Sequence, residues 1–232
     1  MIGGGGLVLI PVLMSATSMP AASVLATNKV AAISGTASAA ATLARRVGVP
    51  RMTWIYAFIA GVAAALGARA VSLIDDSVAT PIILILLVGV GVFVALNPKF
   101  GQEGAGIFSG RRLALAAVAV AVVGGYDGVF GPGTGMFLIM AFTAVFTQGF
   151  VRSAAMAKVV NTATNLGALL VFGLGGFINW KLALALAVAN VVGAQLGART
   201  VLKGGSALVR VALLGLVVTL CAKLDWDLLQ HQ

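Results

Sequence analysis

Apolar residues fall along the chain in nine long runs: 5–17, 21–44, 52–74, 78–97, 112–126, 134–149, 153–175, 179–200 and 206–222. Stretches such as Thr80 to Leu96 and Leu182 to Leu196 approach the roughly 20 apolar residues that a membrane-crossing helix needs. The pattern predicts an all-α, polytopic membrane protein with about 7–9 transmembrane or re-entrant helices, glycine-broken in places. The count is a range because 112–126 and 134–149 either cross separately or together form a re-entrant hairpin; the crossing of 5–17 is open in the same way.

One interruption stands apart from the others. GGYDGVFGPGTGMFLIM, Gly124 to Met140, sets glycines, a proline and Asp127 between LALAAVAVAVV and FLIMAFTAVF. Bare backbone inside a membrane is tolerated only where protein buries it or a watery cavity meets it. GPGTG therefore reads as a break, with a new helix starting near Thr134. The free N–H groups of such a helix start, here Gly133, Thr134 and Gly135, present a positive end suited to an anion. GGGG ahead of LVLI does the same with Gly4 and Gly5. The structural alternative is that these glycines only let helices pack closely. A dinucleotide fingerprint is a poor alternative, with neither a strand ahead of it nor an acidic partner about 20 residues on.

The two glycine runs belong to an internal repeat. GGGGLVLI at 3–10 aligns with PGTGMFLI at 132–139, offset by 129; Lys29 then pairs with Lys158, and LGAR at 66–69 recurs at 196–199. One repeat contains an odd number of segments, so its two copies face opposite ways across the membrane, a recurrent transporter plan around a midplane site. The division is a first repeat over 1–98, a cytoplasmic linker over 99–111, a second repeat over 112–223 and a polar tail over 224–232. The first copy reads as incomplete, with only Met1 and Ile2 where the second has 112–126.

Composition narrows the function. The chain is 60% hydrophobic and 9% charged, with a mean hydropathy of +1.09 and a formal charge of +9. Ordinary soluble domains carry about 25% charged residues. The basic residues do not form a nucleic-acid patch. Arg45, Arg46, Arg51, Lys99, Arg111, Arg112, Arg152, Arg199, Lys203 and Arg210 all fall on one side of the alternating spans, as the positive-inside rule requires for cytoplasmic loops. The single Cys221 leaves no disulfide or cysteine-based metal site, and the sole His231 lies in the tail. Neither a catalytic set nor a metal-ligand cluster can be assembled, so no enzyme, metal or cofactor is expected. The N-terminus shows no basic region or cleavage site of a removable signal peptide.

The candidate chemistry lies at ionisable residues within spans. Burying a lysine at a span centre costs about 2.5–3.5 kcal/mol on insertion scales, which marks Lys29 and Lys158 as candidate anion ligands. The alternative is that each snorkels to an interface. Asn161, Thr164 and Asn165 share a helical face with Lys158, and Thr27, Asn28 and Ser34 provide a less regular set near Lys29. Hydrogen bonding between spans is the competing role for these polar groups. Asp127 has three candidate roles: proton carrier during transport, partner of Lys158, or cap of the break. Ala63-xxx-Gly67 and Gly193-xxx-Gly197 are read as packing motifs, and Arg69 and Arg199 as interface anchors.

TNKVAAISGTASAAATLARR (27–46), YDGVFGPGTGMF (126–137) and AKVVNTATNLGALLVFGLGG (157–176), with the glycine-rich breaks, resemble the TauE/SafE family of sulfite-exporter-like transporters. The closest likeness is to its subgroup with a GPGTG second motif. The resemblance implies a multi-pass permease of the bacterial cytoplasmic membrane for small anions, typically sulfite or organosulfonates, with two related halves. The expected partners are therefore a small anion and the lipid bilayer, with no nucleic acid. The expected site lies between the two breaks, with Lys29, Lys158, Asn28, Asn161 and Asn165 as ligands. A passive anion channel and a non-transporting membrane scaffold are the alternative functions.

Overall fold

A computed structural model describes residues 9, 10, 13, 16–70, 106–131, 133–203 and 211. Gly4, Gly5, most of segment 5–17, segment 78–97 and all but Val211 of segment 206–222 lie outside the described residues. Six helices organise the remainder: α1 (Ala21–Val47), α2 (Met52–Ala70), α3 (Gly110–Val129), α4 (Thr134–Phe146), α5 (Phe150–Leu174) and α6 (Trp180–Lys203). By length and composition, α2, α3, α5 and α6 can each cross a membrane.

The boundaries follow from local chemistry. Pro20 precedes α1, and Gly48 at φ 74° ends it; glycine reaches this left-handed backbone without a Cβ penalty. Arg45 and Arg46 in the last turn of α1 complement its negative end. Gly133 at φ 81° starts α4, and Thr147, also left-handed, ends it. With 13 residues, α4 is about 20 Å long, short of the roughly 30 Å hydrocarbon core.

The packed face of α2 is made mainly of small residues, with Tyr56 the large exception. On α2, Ala57, Ala60, Ala64 and Ala68 are buried, while Trp54, Phe58 and Leu66 are exposed. Lipid tails are as apolar as leucine, so exposing a large side chain to them costs nothing, and close van der Waals packing of small residues holds the helices together. A Cβ at Gly128 would collide with the Ala64 carbonyl of α2, and one at Gly167 with the Gly61 carbonyl. Through these two glycines the backbone of α2 lies directly against α3 and α5.

α5 is the central element and packs against α1, α2, α3 and α4. The start of α1 meets the end of α5, where Ala26 clusters with Ala168 and Phe172, so these two helices are antiparallel. α6 runs parallel to α1: Asn190 Nδ2 donates to Ala31 O at 2.7 Å, and Gln195 Nε2 to Ser38 O at 3.0 Å. Arg45, Arg46, Arg51, Arg111, Arg112, Arg152, Arg199 and Lys203 consequently gather at one end of the bundle, and Arg69 and Lys181 lie at the other.

α1 and α5 start 129 residues apart, the offset read from the glycine runs. Lys29 and Lys158 are each the ninth residue of their helix. Because the helices are antiparallel, the two lysines lie at different depths. At 1.5 Å per residue, Lys158 is about 12 Å and Lys29 about 27 Å from the basic end.

Candidate anion site

The break between α3 and α4 is built around Asp127. Its carboxylate is 2% exposed, and its Oδ2 lies 3.0 Å from the ammonium of Lys29, itself 2% exposed. Lys29 Nζ also donates to the backbone oxygen of Asp127 at 2.6 Å. The hydroxyl of Thr134, the first residue of α4, lies 2.7 Å from Asp127 Oδ1 and 2.8 Å from Gly131 O. Gly131 adopts φ 88°, and a Cβ there would come within 2.8 Å of Lys29 Nζ. The glycines of the break therefore serve two ends at once: they turn the chain, and they let an ion pair fit where a side chain would stand.

Asp127 thus pairs with Lys29, not Lys158, and ties the two sides of the break together through Thr134. Gly133, Thr134 and Gly135 are buried and do not line the adjoining cavity. At the start of α4 it is the Thr134 hydroxyl that meets the chain's own carboxylate.

A cavity of about 90 Å³ lies between α1, α5 and α6, with Asp127 and Gly131 of the α3–α4 break on its wall. A water needs roughly 10–15 Å³ on this measure, so several waters or one small anion fit. Its wall carries Lys29, Asp127, Lys158, Asn28, Asn161 and Asn165. Every span-buried residue read from the sequence as a ligand, other than those of the glycine runs, meets here.

Lys158 differs from its repeat partner. It is 6% exposed, and among the described residues no acceptor or carboxylate bonds its Nζ. The amides beside it are ordered by their own helix. Asn165 Nδ2 donates to Asn161 O at 2.7 Å and to Asn161 Oδ1 at 3.0 Å. Thr164 Oγ1 lies 3.0 Å from Asn161 O and 3.2 Å from Asn161 Oδ1. Asn165 therefore spends its donors inside α5, while Asn161 has its oxygen occupied and its NH₂ uncommitted among the described residues. That NH₂ lies one turn from Lys158 on the same face, so an ammonium and an amide donor converge on the cavity. Asn28, 6% exposed, is likewise without a partner among the described residues.

Thr27 and Ser34 do not join this set. Thr27 Oγ1 accepts the Asn179 backbone N–H, and the Ser34 hydroxyl lies 2.8 Å from Ala31 O on its own helix. Asn190 is the wall residue that the sequence reading passed over. It lies at the cavity on α6 and spans to α1; the signal was an amide inside the apolar run 182–196, the same criterion that marked Asn161. Gly193 has nothing within 4 Å of a Cβ position, so among the described residues it makes no close helix contact, in contrast to Gly67, whose Cβ would strike the Gly125 carbonyl.

The family model described as Sulfite exporter TauE/SafE matches residues 1–224. The chain is 35% identical over 232 residues to the probable membrane transporter protein YfcA of Escherichia coli strain K12, covering 97% of this chain and 83% of that one. It is 33% identical to a probable membrane transporter protein of Haemophilus influenzae, covering 97% and 88%, and 30% identical to the probable membrane transporter protein ORF9 of Sinorhizobium sp, covering 97% and 86%. No solved structure matches the chain.

Proposed function

The chain belongs to the TauE/SafE family of membrane transporters, and from that premise we propose that it is a multi-pass permease for small anions of the sulfite or sulfonate class. The observation that carries this reading is the Lys158 ammonium, buried on the wall of a cavity of about 90 Å³ and without a counter-ion among the described residues. A buried charge of this kind is costly unless paired, and an entering anion supplies the pair. Sulfonate and sulfite oxygens accept several N–H donors at once, and charge-assisted bonds of this type are the strong ones. Lys158 Nζ and Asn161 Nδ2 are such donors, with Asn28 also on the wall.

The gathering of basic residues at one end of the bundle supports placing that end in the cytoplasm of a bacterial cell membrane. The antiparallel course of α1 and α5 supports an inverted pair of repeats, divided at the 99–111 linker. In this arrangement Lys29 acts with Asp127 in holding the break closed, and Lys158 is the substrate's charge partner.

Thermal stability of the purified chain against sulfite, methanesulfonate, taurine and chloride tests the reading. An anion that binds only the folded state, at about 100 times its Kd, adds roughly 2.7 kcal/mol. We expect a rise in Tm with sulfite or methanesulfonate that disappears in Lys158→Gln. A rise of equal size in that variant refutes the site, and no rise with any anion refutes the anion reading.

A further inference from the structure

We infer that the cavity selects singly charged anions over doubly charged ones, because its wall carries one uncompensated positive charge. The inference rests on the anion-permease reading and adds the charge class of the substrate. Three charged side chains reach the wall: Lys29, Asp127 and Lys158. Lys29 and Asp127 cancel, at 3.0 Å and with both groups 2% exposed. Lys29 is further committed to the Asp127 backbone oxygen at 2.6 Å, a contact that holds it at the break. Lys158 alone remains, so the wall sums to a single positive charge among the described residues.

A monoanion brings the occupied cavity to neutrality. A dianion of the same shape leaves one negative charge uncompensated, beside the carboxylate of Asp127. The cavity of about 90 Å³ holds at most about nine water positions, and its wall offers no second unpaired cation among the described residues. The second charge of a dianion is then left without a counter-ion among the described residues, and an unpaired buried charge is the costly case. The amides of Asn161 and Asn28 donate to either anion and do not discriminate on charge. Discrimination therefore lies with the pairing of Lys29, a residue that need not touch the substrate.

Methanesulfonate and sulfate are close in shape and carry one and two negative charges at neutral pH. Calorimetric titration of the full chain in detergent should give sulfate a Kd at least about tenfold weaker, equivalent to about 1.4 kcal/mol. Asp127→Asn leaves Lys29 uncompensated and raises the wall to two positive charges, so sulfate should then bind at least as tightly as methanesulfonate. Lys29→Met/Asp127→Asn returns the wall to one charge and should restore the wild-type ratio. If Asp127→Asn does not fold, the wild type and the double variant still test the rule, since both must favour methanesulfonate. Equal Kd values for the two anions in the wild type overturn the charge rule and leave the permease reading standing, as does an unchanged ratio in a folded Asp127→Asn. Absence of binding by methanesulfonate, sulfate and sulfite alike overturns the permease reading itself.

Discussion

Replacing Lys29 with methionine keeps the unbranched stem of the side chain and removes its charged end, so it isolates the ion pair at the α3–α4 break. The Asp127 carboxylate is then left 98% buried, with the Thr134 hydroxyl as its remaining partner among the described residues. Removing one member of a buried pair costs about 3–5 kcal/mol. Asp127→Asn is the milder change. Lys29 keeps its 2.6 Å contact to the backbone oxygen of residue 127, which no side-chain substitution deletes, and the amide oxygen of asparagine still accepts from Thr134. A lost hydrogen bond to a charged group costs about 1.5–3 kcal/mol. The double variant carries neither charge and should fall short of the summed costs by about 1–3 kcal/mol. For a chain of this length 1 kcal/mol moves Tm by about 2–4 °C, so Lys29→Met should lower it by about 6–20 °C in thermal melts followed by circular dichroism. A more damaging Asp127→Asn, or two costs that simply add, would show that Lys29 and Asp127 do not stabilise the break as a pair.

Thr134→Val removes the hydroxyl that reaches both Asp127 Oδ1 and Gly131 O; a loss of about 1.5–3 kcal/mol should appear as a Tm lower by about 3–12 °C. Gly128→Val drives a side chain into the Ala64 carbonyl, backbone that cannot turn aside. It should cost about 1–3 kcal/mol or more and reduce the monodisperse fraction in gel filtration, whereas Gly193→Val, with nothing within 4 Å, should leave that profile unchanged. Ala198 lines the cavity, so Ala198→Cys in a Cys221→Ser background should react with an anionic methanethiosulfonate reagent, and saturating methanesulfonate should slow the reaction severalfold. Unaltered kinetics would separate this wall from the anion path.

Much of the bundle was legible because a membrane imposes a simple pattern. Runs 21–44, 153–175 and 179–200 correspond to α1, α5 and α6 within about three residues, and the α4 start at Thr134 followed from the glycines and proline ahead of it. Lys29 and Lys158 were legible for a different reason, the expense of placing charge in a span. The partner of Asp127 was not. Periodicity fixes which face of a helix a residue occupies and how deep it lies, but the choice between Lys29 and Lys158 depends on which helix faces the break. They stand 98 and 31 residues from Asp127 in sequence, and the nearer one was the candidate named. The different states of Asn161 and Asn165 were equally out of reach, because both satisfy the same spacing rule and only the direction of their amide bonds separates them.

Gly131 and Gly35 both line the cavity, and they differ in how a second mutation can repair them. A Cβ at Gly35 would meet Asn190 Oδ1 at 2.6 Å and Cγ at 2.7 Å, the end of a side chain. Gly35 lies inside α1, where alanine is the preferred residue. A selection for suppressors of Gly35→Ala should therefore return shortened residues at position 190. Gly131 is held twice, by the Lys29 ammonium at 2.8 Å and by its own φ of 88°. Shortening Lys29 relieves the first constraint, leaves the second in force and strands Asp127. The genetic signature of the break is thus an allele at 131 with no single-site suppressor at the residue it strikes.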